Sequence, residues 1–331
     1  MRRLPLLALM SIVAIAGLLL AATDGVAPLP TYKPAERRHW AFQPRTQVSP
    51  PVFESAADRA WTKTPVDAFL LHGLKKAGLT PAPAADRATL IRRATYDLHG
   101  LAPTPEEVQA FVTDTSPDAW AKVVERLLAS PRYGEQWAKH WLGGVRFAET
   151  EGFEYDMHRS DAWRYRDYVV NSFNQDKPYD QFVREQLAGD EMNPDDETYL
   201  VASGFNRLGP VRKNAGNQLV ASSRSEILTE MTNMVGTAFL GMTIGCARCH
   251  DHKFDAIRQS DYFRVQGYFA QLHNNDIVKA PEDVQKAYEE ETKSLTTRMR
   301  QVQREMNKAV GEERLKLEAE FEDLEMKMPD P

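Results

Sequence analysis

The sequence predicts a mainly α-helical fold: an irregular helical domain followed by a long C-terminal helix or a helical hairpin. From Thr64 onward apolar residues recur at helical spacing, and short breaks of Gly, Pro, Asn or Asp separate the periodic segments. No segment shows the apolar and polar alternation that is typical of a strand. The 331 residues suffice for one large domain or two smaller ones.

The composition argues against disorder across the whole chain and against a nucleic-acid partner. Hydrophobic residues make up 42% and charged residues 27% of the chain, which is ordinary globular usage. The net charge is -6, and basic and acidic residues are interleaved, so no basic stripe stands out. We therefore expect no binding of nucleic acid.

The N-terminus carries an export signal. Arg2 and Arg3 precede an almost unbroken apolar run over residues 4–22. A run of this length is typical of a signal peptide or a spanning helix, so residues 1–27 are predicted to be a signal peptide or an N-terminal membrane anchor. Small residues around Ala22 and Ala27 favour cleavage. We expect a periplasmic or cell-surface protein.

Residues 28–63 are rich in proline and polar residues and lack a sustained period. This composition predicts an extended lead-in to the helical domain. Trp40, Phe42 and Pro44 are expected to anchor the lead-in to the body of the protein.

Residues 64–275 are predicted to form the helical domain. Asp86 is placed to cap a helix that Gly100 ends, and Thr104 with Pro105 opens the next helix. Amphipathic spacing predicts further helices over 118–129, 134–149, 161–173, 179–188 and 225–240.

Residues 280–327 are dominated by Glu, Lys, Arg, Gln and Met, which predicts a charged, coiled-coil-like arm. Gly311 interrupts the apolar seam, so two antiparallel arms and one continuous rod are both compatible with the pattern. We expect the arm to mediate protein contacts and to lead into a second domain. The seam consists of Leu295, Met299, Val302 and Met306, then Leu317, Phe321 and Leu324.

The sequence Gly-Cys-Ala-Arg-Cys-His at residues 245–250 contains C-x-x-C-H, the attachment motif of c-type haem. Positions three apart share one side of a helical turn, so both thiols can reach the same porphyrin. Cys246 and Cys249 are therefore predicted to bind haem c covalently, and His250 to be the proximal ligand of its iron.

Cysteines at this spacing have two other known uses, as zinc ligands and as a redox dithiol. Zinc could take Cys246, Cys249, His250 and His252, although four ligands within seven positions strain a tetrahedron. That alternative makes the chain a structural or assembly module whose helical arm docks a partner. A redox dithiol is expected in a βαβ setting, which the sequence does not show.

The iron also needs either a distal ligand or an open face. His140 is the leading candidate for a distal ligand, because Trp137, His140 and Trp141 fall on one helical face. His252 is interpreted as a partner of a haem propionate or as part of a second site with its acidic neighbours. The other distal candidates are His39, His99, Met231, Met234 and Met242.

Two acidic clusters offer oxygen ligands for calcium, but neither follows the ligand order of a known loop. We expect solvated loops there, with calcium as an unsupported alternative. The clusters are Glu149, Glu151, Glu154 and Asp156, and then Asp190, Glu191, Asp195, Asp196 and Glu197.

The stretch Cys-Ala-Arg-Cys-His-Asp-His-Lys-Phe-Asp at 246–255 resembles the planctomycete-type cytochrome c domain of unknown function, or PSCyt type. Upstream stretches at 39–42, 97–101, 163–167 and 176–180 extend the resemblance over most of the chain. Ala256 and Arg258 depart from the family pattern, which has prolines at these positions. Gly143 and Gly144 replace a pair that usually contains Asp.

The resemblance implies a mainly helical domain of a large exported protein that continues into a second domain of unknown function. It also implies an association with polysaccharide or surface degradation systems. Together with the motif it predicts an exported c-type cytochrome module that passes electrons to an exported redox partner or to the second domain. An electron-transfer protein is favoured over a hydrolase.

Overall fold

The fold is all-helical in the residues that the structure describes. A computed structural model describes residues 31–152, 156–210, 221–272 and 280–329. Across these ranges it contains fourteen α-helices and no strand, which confirms the mainly α prediction. The nearest approach to a sheet is an isolated antiparallel bridge between Thr150 and His158. The chain divides into two compact units, and the first ends at Leu272.

The first unit holds twelve of the described helices. Its N-terminal half comprises α1 Pro34–Arg37, α2 Ala56–Trp61, α3 Pro65–Lys76, α4 Arg87–His99, α5 Pro105–Thr113 and α6 Ala119–Leu128. The rest comprises α7 Pro131–Gly144, α8 Ala162–Asn174, α9 Tyr179–Met192, α10 Glu197–Ala202, α11 Ala221–Phe239 and α12 Gln259–Phe269. The second unit contains α13 Glu282–Met306 and α14 Glu312–Met326.

Local capping sets several helix ends. The Asp86 carboxylate accepts a hydrogen bond from the Thr89 N–H and begins α4. Gly100 ends that helix in the left-handed conformation, with φ of 68°. Thr104 and Glu107 form a reciprocal capping box at the start of α5. These ends follow the predictions because each depends on residues within one turn of the boundary.

The predicted boundaries of α7 and α9 are wrong. The α7 helix was expected over 134–149, but it begins at Pro131 behind the Ser130 cap and ends at Gly144. It ends there because Arg146 takes a left-handed conformation, with φ of 57°. The α9 helix extends past 188 to Met192, with a kink at Ala188.

Three apolar clusters organise the first unit. One joins α4, α5 and α6 around Ile91, Phe111 and Leu127. The largest joins α7 to α11, and a small third cluster lies under the 240–262 segment. The largest cluster includes Ala138, Val145, Tyr165, Tyr168, Val169, Phe182, Ala202, Phe205 and Met234.

A buried polar network crosses the largest cluster. The side chain of Glu185, only 1% exposed, pairs with Lys177 and accepts hydrogen bonds from Tyr168 at 2.8 Å and Gln181 at 2.6 Å. Burial opposes ionisation of Glu185, but these donors more than offset it, so its pKa lies below the ordinary value. Burial also raises the pKa of Tyr168. The network therefore keeps Glu185 ionised inside the core.

A second branch of this network links three helices. The Trp141 N–H donates to the Tyr165 hydroxyl at 3.2 Å and to the Gln186 side-chain oxygen at 3.1 Å. Tyr165 in turn donates to Gln186 at 2.6 Å. Trp141 lies on α7, Tyr165 on α8 and Gln186 on α9, so these bonds join the three helices.

The lead-in is not uniformly extended. Its described part, from residue 31, contains α1, a 3-10 turn at Trp40–Phe42 and α2. The expectation that Trp40 and Phe42 anchor it is wrong, since their side chains are 81% and 43% exposed. Tyr32 and Glu36 make the anchoring contacts instead.

The second unit is a helical hairpin, which decides between the two predicted forms of the arm. Gly311 turns the chain between α13 and α14 with φ of 64°. Val302 of the predicted seam is fully buried, and Arg298 lies 2.6 Å from Glu320 across the pair. No helix in the described ranges is both long and apolar enough to cross a membrane. The predicted export segment 1–27 lies outside the described residues.

Candidate functional site

The C-x-x-C-H motif lies on a tight turn between α11 and α12. The turn contains a 3-10 helix over Ile244–Arg248. The Met242 N–H donates to the Gly236 carbonyl at 2.9 Å, so the chain doubles back directly against α11. A Cβ at Gly236 would lie 2.7 Å from Cγ1 of Ile244, so only glycine allows this approach.

An apolar underside fixes which side chains of the turn face outward. Ile244, Ala247 and Ile257 are buried with Tyr262, and Met242 packs against them. Cys246 and Cys249, on either side of buried Ala247 and exposed Arg248, are both exposed. The underside therefore holds the turn while both thiols stay accessible.

The two cysteines are free thiols on one turn of backbone. The Cys249 N–H donates to the Cys246 carbonyl at 3.3 Å, which closes the turn that carries them. Free, exposed thiols three positions apart are the arrangement that attachment of one cofactor at two points requires.

His250 is exposed, and its hydrogen bond defines which ring nitrogen is available. Its Nδ1 lies 2.8 Å from the carbonyl oxygen of Asp251. A carbonyl can only accept, so Nδ1 carries the proton and Nε2 keeps its lone pair. A backbone carbonyl on the second nitrogen is the usual support of a metal-binding histidine.

Other histidines use their nitrogens differently. Nδ1 of His252 accepts from the Asp255 N–H at 2.9 Å, and Nδ1 of His39 accepts from the Ala41 N–H at 3.4 Å. Nε2 of His99 donates to the Leu127 carbonyl at 2.8 Å. In each case the bond leaves Nε2 protonated, which does not suit ligation of iron through that nitrogen. His252, whose side chain is 8% exposed, acts here as an internal cap of the 252–257 turn.

The three residues proposed to form one face around His140 do not share an environment. Trp141 points into the largest cluster and packs against Phe182 and Phe239. His140 is exposed and contacts the half-exposed ring of Trp137, with centroids 5.7 Å apart. Trp141 therefore cannot line a surface cofactor beside His140, and distal ligation by His140 stays a prediction. Among the methionines, Met231 and Met234 are buried, while Met242 lies under the motif.

Arg258, which the family pattern would replace by proline, holds the loop after the motif. Its Nη2 lies 2.8 and 2.9 Å from the two carboxylate oxygens of Glu36, and its Nη1 lies 3.6 Å from Asp251. The Gln259 N–H donates to the Asp251 carboxylate at 2.9 Å. Sequence reasoning missed this role, although the departure from the family pattern at Arg258 was a signal.

Four members of the acidic clusters have protein partners. Glu149 lies 3.3 Å from Arg166, and Glu197 lies 2.8 Å from Arg164. Asp156 accepts from the Gly152 N–H, and Asp196 caps α10. Glu154 lies outside the described residues. Within the described ranges, no three His, Cys, Asp or Glu side chains converge as a metal site.

The fold and the turn define a class of helical domain that presents C-x-x-C-H on its surface. The chain belongs to the PSCyt2 family, described as a protein of unknown function (DUF1549), whose family model matches residues 65–274. No curated protein and no solved structure matches the chain. The family assignment agrees with the PSCyt-type resemblance and leaves haem binding as a hypothesis.

Proposed function

We propose that this protein is an exported c-type cytochrome module that binds one haem covalently through Cys246 and Cys249, with His250 as proximal ligand. The observation that supports this proposal most strongly is the arrangement of the thiols and the histidine on the turn between α11 and α12. Two free, exposed thiols lie beside an exposed histidine whose Nδ1–H is bonded to a carbonyl, which leaves the lone pair of Nε2 available.

The donor set fits a haem better than zinc. A structural zinc ion takes about four protein ligands, and no such group converges in the described part of the chain. A porphyrin brings its own ring nitrogens, so one axial histidine and two thioether links suffice.

When bound, haem supplies one-electron chemistry between ferrous and ferric iron. The residues of the chain would set the conditions for that chemistry. Asp251 orients the His250 ring through its carbonyl, and the apolar underside around Ile244 and Tyr262 fixes the backbone of the turn. We propose that the electron acceptor is an exported redox partner or a second domain of unknown function.

The test is to produce the full chain in a host that matures c-type cytochromes. The expected product has a Soret band and a mass increase that survives denaturation. The double variant Cys246→Ala, Cys249→Ala should lose both, whereas Ser172→Ala, at a buried serine of α8, should keep both. A wild-type protein that runs at its bare polypeptide mass, without a Soret band, would refute the proposal.

A further inference from the structure

The lead-in is tied to the loop that follows the haem motif. Both carboxylate oxygens of Glu36 accept hydrogen bonds from the guanidinium of Arg258. The side chain of Glu36 is only 25% exposed and that of Arg258 only 21%. The Tyr32 hydroxyl donates to Asp261, and its ring lies 5.4 Å from the Arg258 guanidinium. Burial, followed by Asp261, raises the pKa of Tyr32 to about 12. An ion pair and a hydrogen bond, both partly buried, therefore join segments that are 222 residues apart in the sequence.

Arg258 links this anchor to the proximal histidine. Its guanidinium lies 3.6 Å from the carboxylate of Asp251, whose carbonyl accepts the hydrogen bond of His250. One side chain thus contacts both the lead-in and the residue that orients the iron ligand. Because Arg258 belongs to both contacts, its loss would remove the ion pair that holds Glu36 and the contact with Asp251, and would leave the lead-in tied only through Tyr32.

An exposed aromatic cluster follows the anchor. The His39 ring lies 5.8 Å from the Trp40 ring and 5.5 Å from the Phe42 ring, measured between centroids. Trp40 is 81% exposed. It lies four positions after Glu36, so the Cα atoms of the two residues are at most about 14 Å apart. A large aromatic surface left in water, in a segment that Glu36 and Arg258 tie to the loop after the motif, calls for an apolar partner.

We propose that the turn Trp40–Phe42 is a wall of the haem site that covers the porphyrin attached at Cys246 and Cys249, and that Arg258 is the positioning residue that holds this wall. The inference rests on the proposed function. The aromatic rings of Trp40 and Phe42 would cover the porphyrin, which is flat and apolar. His39 shapes the turn by accepting from the Ala41 N–H at 3.4 Å. A wall of this kind excludes water and restricts entry of external ligands.

The test compares haem-loaded full chains: wild type, Trp40→Ala, Arg258→Met and the control Val52→Ala, which shortens another exposed apolar side chain of the lead-in. Denaturing mass should show haem attached in all four. Carbon monoxide should bind the reduced Trp40→Ala and Arg258→Met proteins about tenfold faster, a barrier change of about 1.4 kcal/mol. Their reduction potentials should also fall as solvent reaches the haem. The control should match wild type.

Equal rates and potentials in all four loaded proteins would overturn the wall while leaving the haem proposal intact. A wild-type chain that carries no haem would instead refute the proposed function. Amide exchange provides a second measurement: residues 39–43 should exchange about tenfold more slowly in the loaded wild type than in Cys246→Ala, Cys249→Ala. Equal exchange in these two proteins would also overturn the wall.

Discussion

Gly236 and Ile244 approach so closely that a Cβ atom at Gly236 would lie 2.7 Å from Cγ1 and 2.9 Å from Cδ1 of the isoleucine. The Met242 carbonyl oxygen would also lie 2.9 Å away. The position of the thiol turn on α11 therefore depends on the absence of a side chain at this one residue.

We expect Gly236→Ala to lower the free energy of unfolding by about 1–3 kcal/mol, because the added methyl must displace packed atoms. Haem attachment should fall with it, since the turn would shift. Urea unfolding and the mass of the matured protein measure the two effects. Gly267→Ala is the matched control, because nothing lies within 4 Å of a Cβ there. If both variants unfold alike, the close approach does not limit the turn.

Lys177→Met should destabilise the first unit by about 3–5 kcal/mol, because it leaves the charge of Glu185 buried without its cation. The double variant Lys177→Met, Glu185→Gln should recover part of this loss, since the second change removes the unpaired charge. Chemical unfolding of both variants measures the coupling between the two residues. Additive losses would show that the pair does not act as a unit.

The same network predicts acid sensitivity. The pKa of Glu185 is lower in the folded protein than its ordinary value of 4.5. Its contribution to stability is therefore complete above the unfolded pKa and is lost as pH falls through the folded pKa. We expect the urea concentration at the unfolding midpoint to decrease once the pH falls below about 4.5, and to decrease less in Glu185→Gln. Identical pH profiles for the two proteins would exclude this origin.

Substitutions of His252 can distinguish a structural role for this residue from a role in binding the haem. His252→Ala should cost about 1 kcal/mol, because the Asp255 N–H loses its acceptor. His252→Asn should retain most of that stability, since an amide oxygen can accept in its place. Both variants should attach haem with an unchanged Soret band. A Soret shift in the asparagine variant would instead indicate contact with the cofactor.

Local signals explain which elements could be predicted from the sequence. Asp86 and Gly100 bound α4 through contacts within a single turn, so their residue types suffice. The left-handed Arg146 carries no such local signal, and it ends α7 five residues before the predicted end. The kink at Ala188 accompanies the approach of Gly189 to the Tyr199 carbonyl, which is a contact between helices.

The candidate site also combines features that the sequence predicts with features that only the structure shows. The spacing of Cys246, Cys249 and His250 is a property of the sequence, and the structure adds the hydrogen bond that selects Nε2. The face of α7 was misassigned because Trp141 and His140 are adjacent positions, about 100° apart around the helix. The pairing of Glu36 with Arg258 joins residues too distant in sequence for any pattern to relate them.

The buried bonds among α7, α8 and α9 have a consequence for how the core can rearrange. Sliding α9 by one turn, about 5.4 Å, would strand the Gln186 amide and the Glu185 carboxylate in apolar surroundings at once. Intermediate registers carry the same penalty, so this trio behaves as a single rigid block. A displacement of α9 is therefore expected to carry α7 and α8 with it.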